Sequence, residues 1–255
     1  MLQDNHKTHG TNWLSFSATV ALWRTFKENY TSLASGARSR FWLRLGAGFL
    51  LAMAICAAVT LVGKWLGHHG LTEWDQRVLS WIVEEMPLFT FYNATIFESF
   101  GNMALTIPIL VLTFTIASHR GAPLTAIAII LGYILLRPLI YFGWWIWDRA
   151  RPEMVAEGIA SPPFHSYPSG HATISIFMYG FLAWLWWRAT RSRSERTIIL
   201  ALLAVLLFLV GWARLRLGTH WPSDIIAGFV IGGSWVGSVI WSINGSETDV
   251  LRQRK

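Results

Sequence analysis

From residue 45 onward, long apolar runs separated by short polar connections dominate the chain. Six of these runs approach the ~20 residues, at 1.5 Å rise each, that an α-helix needs to cross a ~30 Å hydrocarbon layer. They are Leu45–Val62, Phe100–Ala117, Pro123–Trp147, Ala172–Trp187, Thr197–Trp212 and Ile225–Ile243. The fourth and fifth are short and need their flanking residues to complete a span. The pattern predicts an all-α polytopic membrane protein: a cytoplasmic N-terminal arm (1–44), a domain of six transmembrane helices (45–243) and a cytoplasmic tail (244–255). In the first connection, Thr72 is placed to cap a helix with Asp75 in its first turn. Leu79, Ile82 and Val83 then share one face, as expected of a short helix lying in the membrane interface.

The charges orient this frame. Arg24, Lys27, Arg38, Arg40 and Arg44 precede the first run, and Arg120 follows the second. Arg188, Arg191, Arg193 and Arg196 follow the fourth, and Arg252, Arg254 and Lys255 end the chain. These regions fall on one side of a six-helix topology, and the positive-inside rule makes that side cytoplasmic. Connections 63–99, 148–171 and 213–224 then face outward, to the periplasmic side of a plasma membrane. Two of them carry arginines that topology does not explain: Arg149, Arg151, Arg214 and Arg216.

Composition agrees with a membrane protein. The 255 residues are 53% hydrophobic and only 14% charged, with 16 tryptophans suited to interface belts. The net charge of +7 fits basic cytoplasmic loops and anionic head groups. No basic stripe is interleaved with exposed aromatics outside the apolar runs, so nucleic acid is set aside. The single cysteine, Cys56, lies in an apolar run and reads as packing; it allows no intramolecular disulfide and no cysteine metal cluster. The first ~40 residues show no signal-peptide pattern, so the first run is expected to serve as the insertion signal.

The outward-facing polar residues form three clusters at helix ends. "DRARP" holds Asp148, Arg149 and Arg151; "YPSGH" holds Ser169, Gly170 and His171; "ARLRLGTHWPSD" holds Arg214, His220 and Asp224. Arginine forks match phosphate oxygens. The N–H groups opening the fourth helix favour an anion, Gly170 permits close approach, and Ser169 adds a hydroxyl. Pro222 suits the first turn of the last helix and places His220 just ahead of it, with Asp224 inside it. Asp224 is expected to accept a hydrogen bond from one ring nitrogen of His220 and aim the other, basic nitrogen at the pocket. His171, on another helix, is placed to donate a proton to a leaving oxygen. Two histidines and a carboxylate also suit a metal such as zinc or iron, but three arginines would repel a cation. No metal or other cofactor is expected.

The Pro168–Ser169–Gly170–His171 motif followed by Arg214-x5-His220-x3-Asp224 resembles the type 2 phosphatidic acid phosphatase superfamily, which includes vanadium haloperoxidases. The resemblance covers about residues 45–243. It implies a phosphohistidine intermediate with His220 as nucleophile, Asp224 as its partner and His171 as general acid. Arg151, Ser169, Gly170 and Arg214 would bind phosphate. Two positions depart from the family pattern. Its first-motif lysine falls at Trp144, and the serine before Arg214 is Ala213. Arg149 is the candidate replacement for the missing positive charge. Arg137, 14 residues or ~21 Å of helix before Arg151, reads as a kink with Pro138. The implied activity is hydrolysis of a lipid phosphate or pyrophosphate: undecaprenyl pyrophosphate, phosphatidylglycerophosphate, phosphatidic acid or a lipid A phosphate. Two alternatives use the same frame: a lipid phosphotransferase working through the same histidine, and a non-catalytic lipid-binding or transport protein. The sequence leaves oligomeric state open.

Overall fold

A computed structural model of the chain describes residues 11–85, 90–153 and 162–253. The tip of the N-terminal arm, the end of the tail, and parts of the first and third connections lie outside these residues. The described residues are helical, with no strand. The helices are α1 (Thr11–Thr31), α2 (Ser35–Leu66), α3 (Thr72–Glu85), α4 (Phe91–Glu98), α5 (Met103–His119), α6 (Pro123–Ile146), α7 (Gly170–Ala189), α8 (Arg193–Arg216) and α9 (Pro222–Gln253).

Five stretches among the described residues are long and apolar enough to cross a membrane: Ser35–Glu85, Phe91–His119, Pro123–Ile146, Arg193–Arg216 and Pro222–Asn244. The fourth expected span forms the 20-residue helix α7. It is not one of the five, because His171, Thr173, Ser175 and Arg188 dilute its apolar content. Helices also outrun the apolar runs. The first run is extended back to Ser35 and continues through a kink at Gly67–Leu71 into α3, where Gly70 adopts a φ of 98° that glycine accommodates without strain. Part of the N-terminal arm is itself helical. α1 packs Phe26 with Ala117 and Ala126, and Asn29 donates to the Ser118 carbonyl at 3.1 Å.

The core lies between α2, α6, α7 and α9, with Phe41, Ile129, Phe177, Phe181 and Trp235 fully or almost fully buried. Lipid entropy and close van der Waals packing, rather than water exclusion, hold such helices together, which favours small residues at their crossings. α9 crosses α7 at Gly228 and Gly232. A Cβ on Gly228 would sit 2.7 Å from the Ser169 carbonyl, and one on Gly232 would sit 2.5 Å from the Thr173 carbonyl. The contact lets Ser169 N–H donate to the Asp224 carbonyl at 3.0 Å, which locks the start of α7 to the start of α9. Outward faces carry exposed apolar side chains such as Leu50, Val111, Ile134, Leu200, Val205 and Phe208, a surface suited to lipid.

Candidate active site

The α8–α9 connection sets the position of His220. After Arg216 the chain turns through Gly218 at φ 66°, and Thr219 returns both its N–H and its hydroxyl to the Arg214 carbonyl, at 3.1 and 2.9 Å. Pro222 then opens α9, where its missing N–H costs nothing. Asp224, in the first turn, accepts from the Trp221 N–H at 2.8 Å, the reciprocal half of a capping box.

His220 is buried, with Nδ1 2.9 Å from the Ser166 carbonyl. A carbonyl only accepts, so Nδ1 carries the proton and Nε2 keeps its lone pair. The expected direct bond to Asp224 is replaced by this one. Asp224 Oδ2 stands 3.5 Å from Nδ1 and accepts instead from the Ser166 hydroxyl. Asp224 therefore acts on the ring by charge and through Ser166. Burial pushes His220 down to about 4; Arg214 and Arg151 push the same way and Asp224 opposes them. The ring is neutral at pH 7, the form a nucleophile requires.

One expected residue stands directly at Nε2, and the others lie on the elements next to it. Arg151 Nη1 lies 3.4 Å from it, held by the Thr219 carbonyl at 2.6 Å. Burial lowers the Arg151 pKa, with Asp224 opposing. Ser169 caps α7, its hydroxyl accepting from Ala172 N–H at 3.4 Å, and Gly170 begins the helix. His171 follows, with Nε2 2.8 Å from Asn102 Oδ1. The turn at Ser99–Gly101 passes directly beneath it, where a Cβ on Gly101 would sit 2.7 Å from the His171 ring. Arg214 is buried, ion-paired through Nη1 to Glu98, and its Nε has no partner.

Arg149 does not join this group as expected. Its guanidinium is 7% exposed and stacked between Trp147 and Trp221. Nη2 donates to Asp75 at 2.6 Å; Nη1 donates to Asp224 at 2.7 Å and to Ser223 at 2.8 Å. Both terminal nitrogens thus serve protein acceptors. Asp75 is itself fully buried and also accepts from the Ser223 N–H and hydroxyl, at 2.8 and 2.6 Å. The result is a layer beneath His220 in which one arginine bridges two carboxylates at the N-terminus of α9. Asp148 is exposed and pairs with His165. Trp144, where the family lysine would stand, donates Nε1 to the Pro168 carbonyl at 3.2 Å and stacks on His165 at 5.1 Å. With Tyr141, Trp145, Asp148 and His165 it lines an open cleft of about 500 Å³.

Asp75, Glu98, Asn102 and Ser166 are the residues that the motifs did not single out. Asp75 carried a detectable signal: it lies four and seven residues before Leu79 and Ile82, on their apolar face, where a carboxylate demands a buried cation.

The site thus holds a buried, neutral histidine beside an arginine, with a second histidine and a second buried arginine on neighbouring helices. Residues 124–247, just under half of the chain, match the PAP2 superfamily. A putative undecaprenyl-diphosphatase YbjG of Escherichia coli (strain K12) is 38% identical over 82 residues, 31% of this chain and 37% of that protein. The undecaprenyl-diphosphatase of Sulfolobus acidocaldarius is 29% identical over 155 residues, 54% of this chain and 63% of that protein. The chain thus spans less than two thirds of either relative's length. Among solved structures, the phosphatidylglycerolphosphate phosphatase from Bacillus subtilis superposes with a TM-score of 0.59 at 19% identity, covering 81% of this chain and 97% of that one. Aquifex aeolicus LpxE superposes with a TM-score of 0.50 at 23% identity, covering 66% and 94%. These two likenesses are of fold.

Proposed function

We propose that the protein is a membrane phosphatase that hydrolyses a lipid phosphate or diphosphate through a phosphohistidine on His220. The observation that carries this reading is the buried, neutral His220, whose lone-paired Nε2 lies 3.4 Å from Arg151 Nη1. A phosphoryl group bound there meets a nucleophile and a cation at once. Arg151, Arg214, the Ser169 hydroxyl and the first N–H groups of α7 are the groups that stabilise its equatorial oxygens as charge spreads over them. His171, with Nε2–H held by Asn102 Oδ1, acts as the imidazolium and passes the proton of its other ring nitrogen to the departing oxygen, leaving a neutral ring. Water then attacks the phosphohistidine, with His171 as the base, and His220 is regenerated. Asp75, Arg149, Asp224 and Ser166 are positioning residues: they hold the ring's tautomer and the start of α9.

In this reading the frame has six spans, α7 included, with α3 near the interface, both termini in the cytoplasm and the site on the outer face of the plasma membrane. The undecaprenyl-diphosphatase relatives support a lipid of that kind. The test is phosphate release by purified protein from undecaprenyl pyrophosphate, phosphatidylglycerophosphate, phosphatidic acid and lipid A phosphates. Release from at least one of them, inhibited by vanadate, unaffected by a chelator and lowered ~10³-fold or more in His220→Ala, is expected. Full activity in that variant refutes the reading.

A further inference from the structure

The far end of the bundle from His220 holds a second group of cations. α5 finishes there in a Schellman motif. Gly121 adopts φ 69°, its N–H donates to the Ser118 carbonyl at 3.3 Å, and the Ala122 N–H reaches the Ala117 carbonyl at 2.9 Å. The motif turns the chain at once into α6, which has Pro123 in its first turn. Arg120, the C-cap of α5, is thereby set beside the N-terminus of α6. Arg188 lies in the last turn of α7 and stacks over Trp184, 4.7 Å from the ring centroid. It follows His171 by 17 residues of one helix, or ~25 Å.

Arg120 and Arg188 line one cavity of about 390 Å³. α5 and α7 both pack on α6 and scarcely touch each other, and the cavity fills the gap between them. Its walls include Ile116 of α5, Leu182 and Leu185 of α7, and Thr125 at the start of α6. Among the described residues that line it there is no carboxylate. Ala122, the N-cap of α6, offers no side-chain acceptor to the first N–H groups of that helix. The helix therefore adds its partial positive charge to that of the two arginines.

This combination selects the occupant. Two arginine forks and a helix N-terminus favour a phosphate. A phosphate alone would leave the leucine and isoleucine walls facing water. A phospholipid meets both halves: its phosphate reaches the arginines and an acyl chain covers the apolar wall. The flanking stretches Phe91–His119 and Pro123–Ile146 are each apolar enough to cross a membrane. Arg120, between them, stands at the level where a bilayer carries its phosphates. The headgroup must be anionic overall, because a zwitterionic one brings its own ammonium to the arginines.

We propose that this cavity binds one anionic phospholipid of the leaflet opposite the active site. Its phosphate is held between Arg120 and Arg188, and one chain lies between α5 and α7. The bound lipid ties the α5–α6 turn to the end of α7, the helix whose other end carries Ser169 and His171.

The test is native mass spectrometry of the full-length protein released from detergent, measuring the binding of phosphatidylglycerol and of phosphatidylcholine with the same chains. Wild type is expected to bind one phosphatidylglycerol ~10-fold more tightly than phosphatidylcholine, and Arg120→Gln/Arg188→Gln to lose ~10-fold of that affinity. Arg191→Gln/Arg193→Gln removes the same charge from exposed residues outside the cavity and is expected to lose less than ~3-fold. Glycerol phosphate, the headgroup chemistry without chains, is expected not to displace the lipid at equal concentration. If the variant lacking both cavity arginines does not fold, as read by its melting temperature, Ile116→Glu carries the comparison. Ile116 is an exposed residue of the cavity wall, and a carboxylate there sits one turn from Arg120; it is expected to weaken phosphatidylglycerol binding ~10-fold. Equal affinity for the two lipids, equal losses in the two arginine pairs, unchanged binding by Ile116→Glu or displacement by glycerol phosphate overturns the proposal.

Discussion

Arg149 offers the sharpest division between binding a substrate and holding a site. Replacing it with methionine keeps the volume between Trp147 and Trp221 but removes the cation that bridges Asp75 and Asp224, both fully buried. Removing one partner of a buried ion pair costs about 3–5 kcal/mol, because the charge left behind has no compensation. For a chain of this size each kcal/mol is worth about 2–4 °C, so the melting temperature in detergent should fall by roughly 6–20 °C. Arg149→Lys keeps the charge but not the fork. It reaches one carboxylate and should lose about half as much. Activity should follow position: kcat falls ~10–100-fold as Asp224 and Ser166 loosen their hold on His220, while KM stays within ~3-fold. A second substitution tests the cause. Adding Asp75→Asn to Arg149→Met removes one stranded carboxylate and should recover part of the lost stability. The assays are a thermal melt of purified protein and steady-state phosphate release. A KM raised tenfold or more with an unchanged melting temperature would make Arg149 a phosphate ligand and refute this reasoning.

Three further outcomes are expected. His220 has a folded-state pKa near 4, below its unfolded value of about 6.5. Between those values the unfolded chain binds the extra proton, so stability should be complete above pH 6.5 and fall by up to ~1.4 kcal/mol per pH unit as pH drops towards 4. Thermal melts across pH should show this slope, and its absence in His220→Asn identifies the group; an equal slope in that variant assigns it elsewhere. Gly101→Ala places a methyl 2.7 Å from the His171 ring and should lower kcat ~10-fold or more by displacing it from Asn102; wild-type kinetics would show that the ring has room to move. Trp144→Ala removes the Pro168 hydrogen bond and the His165 stack and should raise KM more than it lowers kcat, since both contacts shape the mouth; a pure kcat effect would place Trp144 at the chemistry.

The frame and the motif residues could be read from the sequence because their signals are local. Apolar runs located the helices to within a turn or two for α6, α7 and α8. The short spacing from Arg214 to Asp224 foretold a single turn that presents His220. What escaped depends on pairing between distant segments. Asp75 was read as a dipole partner of its own helix, whereas the fold carries it to Ser223 and Arg149, 148 and 74 residues away. Glu98 and Asn102 belong to no motif and gain meaning only when α4 and the start of α5 meet Arg214 and His171. Arg149 was assigned to phosphate as the replacement for the missing first-motif lysine, and only the fold shows Asp75 and Asp224 taking up its fork. Arg137 was set aside by its distance along the helix from Arg151, and the fold gives it the Met103 thioether as a partner.

The central claim, covalent catalysis by His220, is tested most directly by trapping. Protein mixed with a lipid diphosphate labelled on its terminal phosphate and quenched in alkali, which preserves phosphohistidine, is digested and the labelled peptide identified. The account predicts acid-labile label on the peptide that contains His220, and none in His220→Ala. Turnover with no label on that peptide, or label that persists in His220→Ala, would contradict it.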